Sequence, residues 1–426
     1  MNFKKLIILA GFVLSAAVFA ADNTDPFELP EFFGKPQVHG FIEGRGGYRT
    51  QNDLYEKDIS VMDTRLQLDI FTYNDWGDFK YKGDFWGDGV TEQGKYQTRE
   101  LWFFTRPLDF LDVKLGRQVL TWGTGDLLFL NDLFPKDWQS FMIGRDTEYL
   151  KAPSDAAKFS FFSDIANLDL VYTPKFDSDN YITGDYISYW NGGLGRTAGR
   201  DAIVRADERE SWFTDDEIAA RLYRNINNYE LALYGYWGYW KSPGGQTPAG
   251  RAYFPRLDVY GASVRGQLGE GIANAEIAYY RSADDTGGND PLVNNSEMRY
   301  LLGYSQEIAR DFNAGVQYYI EQLLEYDDYR RYLPPAAAAT KRDEFRQVVT
   351  LRLTKLLMNQ NLTLSMFTFY SPTDEDAYLR PNIHYKFTDN LAAEIGANVF
   401  FGNSQHTFFG QFEDNTSIYT AIRYSF

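Results

Sequence analysis

The chain contains no cysteine, which excludes a disulfide framework, a thiolate metal site and a lipid-modified N-terminal cysteine. Its only histidines are His39, His384 and His406, too few and too scattered for an imidazole-rich metal site. Ser404 and His406, in SQHTFFG, come nearest to a nucleophile and base. They lack a recognisable orienting acid and oxyanion site, so no catalytic residue and no enzymatic activity are expected. After residue 21 no apolar run approaches the roughly 18 residues a spanning helix needs, which excludes a helical membrane protein. Basic residues are also scarce, 42 Lys and Arg against 59 Asp and Glu, so the chain offers no electrostatic footprint for nucleic acid.

Aromatic residues are abundant, at 17% of the chain, although the mean hydropathy of −0.43 is that of a hydrophilic protein. Disordered chains are poor in aromatics. A β-barrel in lipid reconciles the two values, because its strands alternate apolar-out with polar-in and carry aromatic girdles at both interfaces. Residues 1–20 have the three parts of a secretory signal peptide: Lys4-Lys5, an apolar stretch, and small residues ending at Ala20. Without Lys4 and Lys5 the formal charge becomes −19. Residues 21–36 read as a periplasmic lead-in, and 37–426 as an integral barrel of the Gram-negative cell outer membrane.

Eighteen segments with period-two alternation run from 37–50 to 415–426, separated by turn signals. The count falls to sixteen if 96–106 and 155–163 belong to loops. Every second connection is short, and the others are longer or more polar, as short periplasmic turns and long extracellular loops require. The fold class is therefore all-β: a transmembrane antiparallel up-and-down barrel. The last strand, NTSIYTAIRYSF, ends on an aromatic residue with apolar residues at alternate positions before it. That ending resembles the signature read by the barrel assembly machinery.

If apolar residues face lipid, the opposite parity lines the lumen. It places Arg45, Arg49, Asp63, Arg65, Asp69, Lys80, Lys82, Arg221, Arg299, Arg346, Arg352, Arg380 and Arg423 inside, with Glu276, Gln317 and other acidic and amide groups. A barrel of this size is too wide for its own side chains to fill, so water is expected within. Acidic outer connections, among them Asp53, Glu56, Asp207, Glu208, Asp327 and Asp328, suit attraction of cations or ion-bridged contact with lipopolysaccharide. Solubility explains them equally well. Lipid contacts and homo-oligomer contacts are not separable by parity.

The stretch from Gly116 to Asp155 departs from this pattern. Strict alternation would turn Arg117 toward lipid, and a β-bulge at Gly116 would instead aim it into the lumen, with Leu120 and Trp122 outward near the rim. The following segment, 122–154, carries LLFLNDLF and Trp138, too apolar for a loop waving in water. It is expected to fold inward as a constriction or plug bearing Asp126, Asp132, Phe134, Asp137 and Trp138; the alternative is that it packs down on the rim or against a neighbouring protomer. Asp126, Asn131, Asp132 and Asp137 are a weak candidate for a structural calcium, and no other cofactor is implied.

The order GRQ-x3-WG, with an aspartate soon after and then Pro-x-Asp, uses Gly116, Arg117, Gln118, Trp122, Gly123, Asp126, Pro135 and Asp137. It resembles a family of Gram-negative outer-membrane β-barrels without an established activity, some encoded beside RND-type lipid exporters. The resemblance rests on 116–137. It implies an outer-membrane location and hints at hydrophobic or lipid-like cargo. Residue chemistry alone points first to a porin-like channel for passive diffusion of small polar or charged solutes. The alternative is a barrel binding or transporting a lipid-like or hydrophobic cargo with an export system.

Overall fold

The computed structural model describes residues 36–426; the expected signal peptide and nearly all of the lead-in lie outside them. Eighteen strands form the wall: β1 (Gln37–Arg49), β2 (Ile59–Asn74), β3 (Gly77–Asp88), β4 (Gln93–Leu108), β5 (Leu111–Val119), β6 (Pro153–Phe161), β7 (Asn167–Thr173), β8 (Glu217–Ile226), β9 (Tyr229–Tyr239), β10 (Arg256–Leu268), β11 (Gly271–Ser282), β12 (Glu297–Ala309), β13 (Phe312–Leu323), β14 (Phe345–Leu357), β15 (Leu362–Ser371), β16 (Asp376–Lys386), β17 (Leu391–Gly402) and β18 (Ser417–Ser425). Each pairs antiparallel with the next, and β18 returns to β1 from Phe41↔Ser425 to Arg49↔Ser417. The two weak segments are β4 and β6, both within the wall, so the count is eighteen.

Outward positions carry the lipid belt. Ile422 is 61% exposed, while Arg45, of the opposite parity on the neighbouring strand, is 4% exposed. An Arg facing midplane lipid costs about 2–4 kcal/mol, so this separation fixes which face of every strand looks out. Trp76, Phe79 and Phe103 cluster around the short turn between β2 and β3, with ring centroids 5.0–5.5 Å apart. They sit where an interfacial aromatic girdle belongs. Asn227 and Asn228 join β8 to β9 with φ of 48° and 68°, the left-handed pair of a two-residue hairpin turn.

Gly116 is not a bulge. The ladders Leu101↔Arg117 and Arg117↔Asp155 continue through Trp102↔Gly116 and Gly116↔Ala156 without a register shift. Gly116 is needed for close approach instead: its φ is +116°, and a Cβ there would lie 2.3 Å from the Leu101 carbonyl oxygen. The bulge lies in β4, where Lys82↔Glu100 is followed by Gly83↔Thr98. The extra residue, Arg99, turns inward beside Glu100.

The closing seam is equally tight. Gly40 and Phe426 exchange backbone hydrogen bonds of 3.0 Å in both directions, and a Cβ on Gly40 would meet the Gln67 carbonyl oxygen at 2.3 Å and the Phe426 ring at 2.8 Å. Gly40→Val should therefore weaken the β1–β18 seam by about 1–3 kcal/mol. The measurable result is a lower temperature for loss of the compact form in semi-native electrophoresis; an unchanged transition would refute the tight seam.

Candidate functional site

Residues 120–152 leave the wall after β5 and cross its interior. Gly123, at φ +78°, makes the turn that presents two backbone N–H groups to the Glu276 carboxylate on β11. Thr124 N–H donates to it, as do the Thr124 hydroxyl at 2.8 Å, Gly125 N–H at 2.8 Å and Asn131 Nδ2 at 2.7 Å. The next residue is clamped twice. Arg352 Nε and Nη2 donate to the Asp126 carboxylate, the latter at 2.7 Å. Gln317 accepts from Asp126 N–H at 2.7 Å and donates to its carbonyl at 2.8 Å.

The far end is fastened to the opposite wall. Asp137 caps the short helix Trp138–Ile143 by accepting from Ser140 N–H at 2.7 Å. Gly144 ends it in the left-handed conformation, where a side chain would strike the Tyr419 ring. Its carbonyl accepts from Arg45 Nη1 at 2.7 Å. Arg145 is bidentate on Asp63 at 2.6 and 3.1 Å, and Asp146 pairs with Arg423 at 3.0 Å. The bulged Arg99 donates to the Glu148 and Lys151 carbonyls. One segment thus joins β11, β13 and β14 to β1, β2, β4 and β18, and in a closed barrel it does so only through the lumen.

Aromatic packing holds its middle: Trp122 against Phe134 at 5.0 Å, Trp138 against Phe129 and Phe141, and Phe141 against Tyr378. A second outer loop, 174–216, packs on the first. Its Asp179 accepts from Lys136 N–H at 2.7 Å, Trp138 Nε1 at 3.1 Å and Ser242 Oγ at 2.7 Å. Burial pushes the Asp179 carboxyl above its ordinary value despite those donors. Burial also opposes ionisation of Asp146, but Arg423 and the Glu148 N–H outweigh it and hold that carboxyl low.

Above the segment lies an outer vestibule of about 970 Å³. Leu127, Leu128, Phe129, Trp138, Phe141 and Met142 contribute its lower lining, and Arg299, Arg342, Arg346, Glu297 and Glu321 part of its side.

The remaining charged positions serve different local tasks. Arg65 pairs with Asp84 at 2.9 Å and lies between the Trp86 and Tyr149 rings. Lys80 joins Asp69 to Glu100, and Lys82 reaches Glu148 at 3.6 Å. Arg221 pairs with Glu230 across β8 and β9, Arg299 with Glu297, and Arg346 with Asp374. Arg380 stacks on Phe141 at 4.0 Å. Arg49 lies at the rim, donating to the Lys57 and Tyr186 carbonyls.

Three expectations are overturned. Arg117 shares the outward parity of Leu101 and pairs with Asp155 at 3.0 Å outside the wall, because no bulge precedes it. Leu120 is buried, and Trp122 packs on Phe134 and Tyr234 inside; neither points outward. The calcium candidates do not converge: Asp126 goes to Arg352, Asn131 to Glu276, Asp132 to Lys136 and Asp137 to Ser140. Arg99, Arg145, Tyr149 and Asp179 escaped the sequence reading. Arg145, the single arginine of the loop 120–152, was the signal available.

A closed wall with every edge paired, an apolar belt outside and a charged interior defines an integral outer-membrane β-barrel. No family model and no curated protein matches the chain. Among solved structures it is similar to Acinetobacter baumannii OccAB1, with 11% identity, a TM-score of 0.56, and coverage of 94% of this chain and 98% of that one. It is also similar to Pseudomonas aeruginosa OccK11 (OpdR), at 11%, 0.53, 92% and 95%. Pseudomonas aeruginosa OccK2 (OpdF), solved in complex with glucuronate, gives 10%, 0.53, 92% and 98%. At identities this low the likeness shows the barrel fold alone.

Two outcomes follow. Arg117→Ala should leave single-channel conductance and ion selectivity unchanged while lowering the unfolding temperature, since it strands Asp155 outside the wall; altered selectivity would return Arg117 to the lumen. The Asp146 carboxyl titrates below its ordinary value near 3.8, so its hold on Arg423 is complete above that value and is lost as pH falls through the lower folded one. Hydrogen-exchange protection of residues 138–150, taken relative to the intrinsic rate at each pH, should stay high from pH 8 to 5 and fall only below about pH 4; a fall in protection near pH 6 would contradict this anchorage.

Proposed function

We propose that the protein is a porin-like outer-membrane channel for passive diffusion of small solutes, with 120–152 as its constriction. The observation that carries this reading is the passage of one segment across the lumen, pinned to opposite walls by Glu276, Arg352 and Gln317 on one side and by Arg45, Asp63 and Arg423 on the other. An eighteen-stranded wall leaves an aqueous lumen, and an inserted segment sets its width without altering the wall. Passage would then depend on the mixed charges around that segment. Glucuronate in the similarly folded OccK2 supports passage of small solutes by fold analogy alone. The reading requires no catalytic group: His406 sits on an outer loop beside Trp190, with ring centroids 6.2 Å apart.

Planar-bilayer recording tests it. The intact barrel should show a small ohmic conductance, rising several-fold when residues 126–150 are replaced by a short Gly-Ser linker. Arg352→Ala with Glu276→Gln should increase open-channel noise by freeing one end of the segment. A shortened barrel that still folds but conducts no more than the intact one would overturn the proposal.

A further inference from the structure

We infer that the outer vestibule is a binding site for a small hydrophobic molecule, alkyl or aromatic, rather than for a polar or strongly ionic one. The inference rests on the channel reading and names the class of solute the channel receives from outside. At about 970 Å³ the cavity lies at the upper end of the range of small-molecule sites, roughly 300–1,000 Å³. Its contact surface is mainly apolar: Leu128, Phe129, Trp138, Met142, Phe369 and Phe408 come from the constriction, β15 and an outer loop.

Most of the charged groups on its side are paired with one another, although Arg346 Nη2 and Trp240 Nε1 have no hydrogen-bond partner among the described residues. Arg342 Nη2 bridges Glu297 at 2.8 Å and Glu321 at 2.5 Å. Arg299 donates to Glu297 at 2.7 Å, and Arg346 to Asp374 at 2.6 Å. Deeper in, Lys136 is held by Asp132 at 2.9 Å and Lys241 by Glu217 at 2.6 Å. A polar solute surrenders water on entering and regains hydrogen bonds to these paired groups only by breaking their pairs. A hydrophobic solute breaks none and covers apolar side chains that otherwise face water.

The anchors of the constriction explain how such a surface persists. Glu276, Gln317 and Arg352 consume the backbone and acidic groups of 124–126. That leaves Leu127, Leu128 and Phe129, the next residues in the chain, lining the vestibule. Arg346 stacks over the Phe408 ring at 4.6 Å, so even a charged neighbour presents its flat face to the apolar surface.

Calorimetric titration of the full-length barrel in lipid nanodiscs, with empty nanodiscs as blank, tests this with 1-naphthol and 1-octanol as apolar probes and glucuronate as the polar one. Saturable binding of the apolar probes above the blank is expected, with no measurable binding of glucuronate. The pair Leu128→Asp and Phe408→Asp should weaken apolar binding at least tenfold, its fold checked by retention of the compact form in semi-native electrophoresis. Should that pair fail to fold, Phe408→Asp alone, at a side chain 47% exposed, should still weaken it several-fold. Glucuronate binding more tightly than naphthol, no binding above the blank, or equal binding by a folded variant would overturn the inference. A barrel that conducts yet binds no apolar probe refutes the solute class and spares the channel reading. One that binds naphthol but never conducts does the reverse.

Discussion

Hydrocarbon offers no partner to a backbone N–H or C=O group, and the rest of this molecule follows from that constraint. It forces every strand to pair on both sides, hence the return of β18 to β1 at Gly40 and Phe426. Once the sheet is closed, alternate residues of each strand have no choice but lipid or lumen. With eighteen strands, the lumen is too wide for wall side chains to meet across it. The circumference that satisfies the backbone therefore creates an interior that something else must occupy, and residues 120–152 do so.

Charge holds that occupant in place. Buried ion pairs are weak sources of net stability, because desolvation offsets most of their attraction, but losing one partner strands the other at high cost. Such pairs are accordingly better at fixing position than at adding stability. Arg145 with Asp63 has this character, while Arg352 with Asp126 and Arg423 with Asp146 are more open pairs that act with the surrounding backbone hydrogen bonds. Each joins a wall strand to the inserted segment at a defined height. The aromatic cluster of Trp122, Phe134, Trp138 and Phe141 fills space between these points, and its remaining apolar surface becomes the lower lining of the vestibule.

Much of the wall was legible because alternation is a local property: Leu66, Leu68 and Ile70 declare one face, and Asp63, Arg65 and Gln67 the other. Inward assignments made by continuing that parity, such as Arg45, Asp63 and Arg65, fall on buried side chains. Arg117 failed because its assignment depended on an irregularity. The bulge exists one strand away, at Arg99, since the need for an extra inward residue arose from the Glu148 and Lys151 carbonyls. Those carbonyls lie about fifty residues further along the chain, and nothing near Gly116 or Arg99 announces them. Outside the wall, Arg117 finds Asp155 because the hairpin places them opposite each other.

By itself the sequence determined the class of the fold, the strand count to within two, the side of the membrane reached by each connection and the sign of most luminal positions. All of these depend on residues close together in the chain and on the two-residue period of a strand. Only the tertiary structure decided how Gly116 to Asp155 is used. Trp122 turns inward, Arg117 turns outward, and Asp126, Asn131, Asp132 and Asp137 separate to four different partners instead of gathering around an ion. The physical reason is that a loop inside a closed barrel answers to groups on every wall at once. Those groups, from Arg45 to Arg423, become its neighbours only when the ends of the chain meet.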